Sequence, residues 1–430
     1  MKHEVLKILK KLAIEYVILL CTFTLCILAA FTIPTSFIKN NVAESARQVQ
    51  KEGLWFKPFG FYLFQIDNMT DCLMMNISVC ADSGHPARAA MMAEFAQPYN
   101  NGDTRAYKDM AKTTSDVAEK GQNKYDKATE TINYARYWHG YQTVLRPLLC
   151  FLNYNQIRIL NYISLFTLLS VTIMLMCKAL DKKYAMTFLV TLLISNIMIV
   201  PLAMQFSTCF YISLAAMLIF LAKPSLASDT YKPTMIFFAI GAVTSYMDFL
   251  TTPLLTLGFP LVVFTALNKN SEKIRNIMIQ SMSWLAGYAS LWVSKWIIGW
   301  IITGENIIES ALGSAQLRIG DTIVFGGTEM SMSRFFDIIL TKISSLTNPL
   351  YIIIAVCIIT SLIVLYFYKN RKILKTECWL ILIATMPLLW FIVMKNHSLQ
   401  HIFFTWRDWM LTLWCMLLFI CHTHFKTEQL

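Results

Sequence analysis

Two carboxylates four residues apart, Asp67 and Asp71, stand in the run Gln65-Ile66-Asp67-Asn68-Met69-Thr70-Asp71, with FYLF before it and CLMM after it. Residues four apart share one side of a helical turn. Desolvation raises the pKa of an acid in such surroundings, and the group can then serve as a general base. Asp71 borders the apolar CLMM run and is the first choice for that role; Asp67 is the second. The same residues also suit a helix start, with Asp67 or Asn68 capping a helix that begins near Met69.

Three more polar clusters and one lysine interrupt a very apolar chain. Arg136-Tyr137-Trp138-His139-Gly140-Tyr141, followed by Leu145-Arg146-Pro147, sets two arginines and a histidine among aromatics that suit a membrane interface. Met247-Asp248-Phe249-Leu250-Thr251-Thr252-Pro253 places an acid at a proline turn between apolar runs, where it reads either as a site residue or as the cap of the next helix. The segment from Asn396 to Asp408 carries His397 and His401 four apart, and Arg407, whose planar fork matches phosphate oxygens. Lys295, beside Trp292, Trp296 and Trp300, either faces the protein interior or snorkels to the interface. Substrate binding is expected at Arg407, His397, His401, Arg146, His139, Arg136, Asp248 and Lys295. No acid completes a metal set with the two histidines, so no metal ligand is assigned. No cofactor is expected, a divalent metal being the one alternative.

The elements that position these residues follow from composition. The chain has 430 residues, 56% hydrophobic and 15% charged, with a mean hydropathy of +0.51. Soluble domains carry about 25% charged residues. A soluble enzyme, a disordered chain and a fibrous protein are therefore excluded. An all-α, polytopic transmembrane bundle is expected. A bilayer crossing needs about 20 apolar residues, and ten candidate spans are read at 12–34, 156–178, 185–203, 206–222, 233–247, 253–268, 277–302, 349–368, 377–394 and 409–424. The first span follows a basic MKHEVLKILKK, is too long for a signal-peptide core and lacks a small-residue cleavage site, so it reads as an anchor.

Orientation follows from the basic residues. Lys and Arg crowd segments 2–11, 178–183, 223–232, 269–275 and 369–375, with Lys426 beyond the last span. The short loops of the opposite side carry only Lys395 and Arg407. Both termini are thus expected in the cytoplasm. The net charge of +11 is this inside bias, and nucleic acid is not implied. The chain divides into 1–34 (cytoplasmic N-terminus and first span), 35–145 (a large outer loop) and 146–430 (the multi-span region, with a second outer segment at 303–348). Within the large loop, 102–135 is rich in Ala, Lys and Glu and reads as helices lying on the membrane. Cys72 and Cys80, out of 11 cysteines, are the only pair in that loop; a disulfide and two buried thiols both remain open. Asn68-Met-Thr70 and Asn76-Ile-Ser78 match glycosylation sequons.

On this topology every candidate site residue falls on the outer face. No GxxxxGK[ST], GxSxG or HExxH motif occurs. An activated substrate that reaches an outer site within the bilayer is most simply lipid-linked. The architecture resembles the GT-C membrane glycosyltransferases, which use polyprenyl-phosphate sugars. Its matching elements are the first span at 12–34, the acids Asp67 and Asp71 early in loop 35–145, and the amphipathic stretch 102–135. The segments RYWHGY, DFLTTP and NHSLQHIFFTWR are also similar to segments of uncharacterised bacterial membrane proteins placed near this class. The resemblance implies an inverting transfer of a hexose or pentose from a polyprenyl-phosphate-sugar to a glycan or lipid-linked acceptor. It also implies a bacterial plasma-membrane protein of cell-envelope glycan biosynthesis. Asp67 and Asp71 depart from the Asp-x-Asp or Glu-Asp pair of the family, which leaves the base to be chosen between them. The rival readings are a transporter or flippase of a polar lipid or anion, and a glycan polymerase or assembly subunit.

Overall fold

The computed structural model describes residues 2–58, 64–98, 109–121, 129–268, 270–320, 323–325, 328–346 and 371–424. In chain order its helices are α1 (Lys2–Phe31), α2 (Thr35–Glu52), α3 (Asn68–Cys80), α4 (Pro86–Met92), α5 (Met110–Lys120), α6 (Gln142–Leu149), α7 (Tyr154–Ala179), α8 (Lys182–Ile194), α9 (Met204–Ala222) and α10 (Lys232–Met247). They continue with α11 (Pro253–Leu267), α12 (Lys273–Thr303), α13 (Ile307–Ile319), α14 (Met332–Leu346), α15 (Arg371–Ala384), α16 (Met386–Val393), α17 (Lys395–Gln400), α18 (Ile402–Thr405) and α19 (Trp409–His424). Two small two-stranded antiparallel sheets, β1 (Phe95–Pro98) with β2 (Thr129–Ile132) and β3 (Ile323–Phe325) with β4 (Thr328–Met330), accompany the helices.

Among the described residues, five stretches are long and apolar enough to cross a bilayer: Leu6–Phe31, Tyr154–Ala179, Met204–Ala222, Lys273–Thr303 and Ile402–His422. This is the architecture of an integral membrane protein. The expectation of ten full spans is met only in part. At 185–203 the helix stops at Ile194; Asn196 turns left-handed (φ 53°) and a 3-10 turn with Pro201 follows. The expected spans at 233–247 and 253–268 are helices of 16 and 15 residues. The one at 377–394 is broken between α15 and α16, where Pro387 opens the second helix. The expected span at 349–368 lies outside the described residues.

Local sequence explains the starts. Asn153 and Gln156 form a reciprocal capping box on α7: the Gln156 N–H donates to Asn153 Oδ1 (3.1 Å) and the Asn153 N–H to Gln156 Oε1 (2.9 Å). Asp181 caps α8 and Asn306 caps α13. The buried core has two main parts. One joins α7 to α11, α15 and α19, with Phe188, Phe259 and Trp414 packed ring to ring at 4.6–5.5 Å. The other gathers α1 to α6 and the start of α7. α10 and α12 cross backbone to backbone: a Cβ at Gly241 would lie 2.0 Å from the Trp284 carbonyl oxygen, and one at Gly287 would lie 2.1 Å from that of Phe238.

The large loop departs from the sequence expectation. α5 falls within the expected surface helices, but it buries Met110, Thr114 and Val117 and packs against α2 and α3. Residues 129–132, expected to be helical, are β2; three of the four, Thr129, Thr131 and Ile132, are β-branched and favour extended backbone. Tyr107 and Tyr125 lie outside the described residues. Cys72 and Cys80 are buried thiols, donating to the Thr114 hydroxyl and to Asn76 Oδ1. Eight positions apart on one helix, their Cα atoms are separated by about 12 Å at 1.5 Å per residue, beyond the reach of a disulfide. Asn68 and Asn76 are fully buried, which removes both sequons from glycan attachment.

The close crossing gives a direct test. Gly287→Ala should cost about 1–3 kcal/mol through overpacking, read as a lowered thermal unfolding midpoint in detergent. Gly313→Ala, where nothing lies within 4 Å of the added carbon, should be neutral or stabilising. Equal midpoints for the parent and Gly287→Ala would contradict the crossing.

Candidate functional site

Asp67 and Asp71 lie where several helices begin. Asp67 caps α3: its Oδ1 accepts from the Thr70 N–H (3.1 Å) and its Oδ2 from the Thr70 hydroxyl (2.6 Å). The Gln205 side-chain amide also donates to Asp67 Oδ2. One turn on, Asp71 reaches the start of α9. That helix follows Ala203, which has no side-chain acceptor, so its first N–H groups need one from elsewhere. Asp71 supplies it, accepting from the Met204 N–H (2.7 Å) and the Gln205 N–H (3.1 Å). The Tyr154 hydroxyl, at the first position of α7, donates to Asp71 Oδ2 at 2.5 Å. Both carboxylates are completely buried. Burial raises the Asp67 pKa against the opposing pull of Thr70, Gln205 and the Arg407 charge. Burial also pushes Asp71 up to about 6, opposed by Tyr154 and the two α9 amides.

Arg158, one turn into α7, organises the other side of this layer. It donates to both Glu52 carboxylate oxygens (3.0 and 2.9 Å), to Asn68 Oδ1 (2.6 Å) and to the Leu202 carbonyl (2.8 Å). Arg407 closes the layer from the C-terminal part of the chain. Its guanidinium stacks on Phe206 at 3.9 Å, donates to the Phe403 carbonyl (3.4 Å) and lies within electrostatic reach of Asp67. Its Nε, and both carboxylate oxygens of the adjacent, fully buried Asp408, have no hydrogen-bond partner among the described residues.

A second cluster forms beside it. The 136–138 segment is held to α12 by three indole N–H groups: Trp292 and Trp296 donate to the Arg136 carbonyl (2.9 and 3.0 Å), and Trp138 donates to the Leu291 carbonyl (2.7 Å). His139 takes a left-handed backbone (φ 55°). Its Nε2–H donates to the Tyr134 carbonyl (2.9 Å), so its Nδ1 accepts from the Tyr141 hydroxyl (2.9 Å). Burial lowers its pKa to about 3; it is neutral, with both ring nitrogens used. Asp248 accepts from the Thr251 N–H (3.0 Å) and the Thr251 hydroxyl, and burial raises its pKa to about 6. Within that turn Leu250 is left-handed (φ 71°), strained for a bulky side chain. Its carbonyl accepts from His397 Nε2–H at 2.7 Å. His397 and His401 rings lie 4.7 Å apart.

The candidates therefore sort into three groups. Asp67, Asp71 and Arg407 share the acid layer. Arg136, His139, Asp248, His397 and His401 share the second cluster. Arg146 and Lys295 join neither. Arg146 donates to the backbone carbonyls of Ala30, Ser78 and Ile33, tying α6 to α1 and α3. Lys295 is fully buried and donates to the Met91 carbonyl (2.7 Å), fastening α4 to α12. Tyr154, Arg158, Gln205, Glu52 and Arg318 are absent from the sequence expectation; the spacing of Asn153 and Gln156, which fits a capping box beside Tyr154, is the one local signal near any of them. No group of three or more His, Cys, Asp or Glu is arranged for a metal ion among the described residues.

A groove of about 940 Å³ runs between α6, α7, α9 and α10. Leu145, Leu160, Ile212 and Val243 line it; one end lies at Met204 and Met247, and the other reaches Leu226 and Lys232. Met204 both lines the groove and donates its N–H to Asp71. None of the family models, curated proteins or solved structures compared with this chain matches it.

The bonding separates the two acids by substitution. An amide at position 67 can donate to the Thr70 oxygen and to a turned Gln205, whose Oε1 has no partner at present. An amide at position 71 sets an N–H donor against a backbone N–H that cannot turn. Asp71→Asn should cost about 1–3 kcal/mol, whereas Asp67→Asn should unfold within about 0.5 kcal/mol of the parent. Denaturation in detergent reads both; equal losses would contradict the assigned bonding.

Proposed function

We propose that the chain is an integral membrane glycosyltransferase that moves a sugar from a polyprenyl-phosphate donor to a glycan or lipid-linked acceptor on the outer face. The observation that carries this reading is the apolar groove whose end residue, Met204, is bonded to a buried acid. A groove of that lining suits a prenyl chain better than an ion or a polar solute, which favours transfer over transport. Its end brings a lipid headgroup to the layer that holds Asp67, Asp71 and Arg407.

In this mechanism the acceptor hydroxyl oxygen attacks the anomeric carbon as the bond to the carrier phosphate breaks. One displacement inverts the centre. Asp67 takes the hydroxyl proton, and the phosphate leaves with the bonding electrons. Asp67 is preferred over Asp71 as base because two of its donors, the Thr70 hydroxyl and the Gln205 amide, can rotate away. Asp71 is committed to two backbone N–H groups and acts as a positioning residue for α9. Arg407 stabilises the negative charge that develops on the phosphate. No cofactor enters this scheme.

Purified protein with a labelled polyprenyl-phosphate sugar tests the reading. Asp67→Asn should lower turnover by roughly 10²–10⁴-fold. Ala215→Trp, in the groove, should weaken engagement of the carrier while leaving the fold intact. A folded Asp67→Asn protein as active as its parent would remove Asp67 as the base.

The orientation is tested separately. Ser115 is buried, so the exposed Lys112 is the place for a reporter thiol. Lys112→Cys should react with an impermeant maleimide in intact cells above the level of the parent. Reaction only after lysis would place the loop inside and overturn the outer-face site.

A further inference from the structure

The second cluster holds more positive charge than its surroundings balance. The Arg136 guanidinium carbon lies 4.3 Å from the Tyr134 ring centre and 5.5 Å from that of Tyr137. The Arg318 guanidinium carbon lies 5.8 Å from the same Tyr137 ring. Tyr137 in turn stacks on Trp292 (5.9 Å). His397 and His401 lie close enough for the Arg318 charge to disfavour their protonation, and His401 feels Arg136 as well.

Neither arginine meets a counter-charge, and each keeps guanidinium donors to spare. Arg136 is fixed through its carbonyl by Trp292 and Trp296; its guanidinium meets only the neutral Tyr134 and Tyr137 side chains, and its Nε has no partner among the described residues. Arg318 sits on α13, docked to α17 where Asn396 donates to the Leu317 carbonyl (2.8 Å). Its only described hydrogen bond is local, to the Ser314 carbonyl (3.1 Å). His397 spends Nε2 on Leu250 and leaves Nδ1 without a partner. Among the described residues no carboxylate lies within ion-pair distance of either arginine. Asp248, the acid of this cluster, is turned onto Thr251. Arg136, Arg318 and His401 are all partly exposed, so the cluster reaches the molecular surface.

Two guanidinium groups in a half-buried aromatic setting without a counter-charge are costly. An anion with several acceptor oxygens relieves that cost, and guanidinium forks suit phosphate geometry. We propose that Arg136 and Arg318, with the His397–His401 pair beside them, form an outer-face binding site for a phosphate-class anion, distinct from the Asp67–Arg407 layer. Tyr134, Tyr137 and Trp292 wall the site with rings, which suits an ester group carried on the phosphate. The site does not depend on the transferase reading. The shared ligand chemistry is a phosphate or phosphate monoester, supplied either by a lipid headgroup or by a soluble ester.

Calorimetric titration of the purified full chain at low salt tests it, with inorganic phosphate and geranyl phosphate as probes. Both should bind the parent. Arg136→Gln and Arg318→Gln should each weaken binding by about 10-fold or more, the worth of a lost charge-assisted hydrogen bond. Lys112→Gln, on the exposed face of α5, should leave binding unchanged. Within the binding that Arg318→Gln removes, a tighter component for geranyl phosphate supports the site with a lipid source, and equal components for the two probes support it with a soluble source. Absence of heat from both probes at millimolar concentration overturns the proposal. So does parent-like affinity in a folded Arg318→Gln protein, which stands as the second variant should Arg136→Gln fail to fold.

Discussion

A single buried carboxylate joins three parts of this molecule. Asp71 belongs to α3, in the segment between the first two long apolar helices, yet it accepts from two backbone amides of α9 and from the hydroxyl that begins α7. Helix starts leave N–H groups unsatisfied and carry partial positive charge. An α9 that begins after Ala203 cannot satisfy its own. The loop thereby provides the cap for a membrane helix, and the register between loop and bundle is set at one atom group. Arg158 extends the joint, since the helix turn that carries it also presents Tyr154 to Asp71 and ties Glu52 and Asn68 to the Leu202 carbonyl.

Around this joint the remaining buried cations act as fasteners. Arg146 and Lys295 both spend their donors on backbone carbonyls of neighbouring segments. Each satisfies carbonyls near helix C-termini that would otherwise be buried unpaired. A buried basic residue in an apolar chain is a candidate for ligand binding by default, but the geometry distinguishes the two uses. Arg146 and Lys295 are saturated by carbonyls. Arg407, Arg136 and Arg318 rest on aromatic rings with donors left over.

How much of this was legible in the sequence depends on the range of the interaction. The Asp67 cap was readable because its partner, Thr70, is three residues away. The same is true of the Asp248 turn and of Pro253 in the first turn of α11. The helical class and the places of the apolar helices followed from composition and hydropathy. Helix lengths did not, because Asn196 and Pro201 interrupt an apolar run whose hydropathy hardly changes. The strand Thr129–Ile132 was hidden by its Lys- and Ala-rich neighbours; it forms because Phe95–Pro98 pairs with it. Asp71 was found as an acid in apolar surroundings, but its partners lie more than 80 residues away and no local spacing announces them. Arg318 gave no signal at all: it is one basic residue on a polar helix, and its site exists only because α13 docks onto α17.

The functional reading stands on the meeting of an apolar groove with the acid layer, and the carrier chain can be located physically. A polyprenyl phosphate with a diazirine midway along its chain, photolysed with the protein in nanodiscs and mapped by mass spectrometry, reports which helices surround it. Labels should concentrate on groove residues such as Leu160, Ile212 and Val243, and excess unlabelled carrier should suppress them. Labels spread over the outer surfaces of α1 and α12 and indifferent to competitor would contradict a carrier-binding groove, and with it the transferase reading.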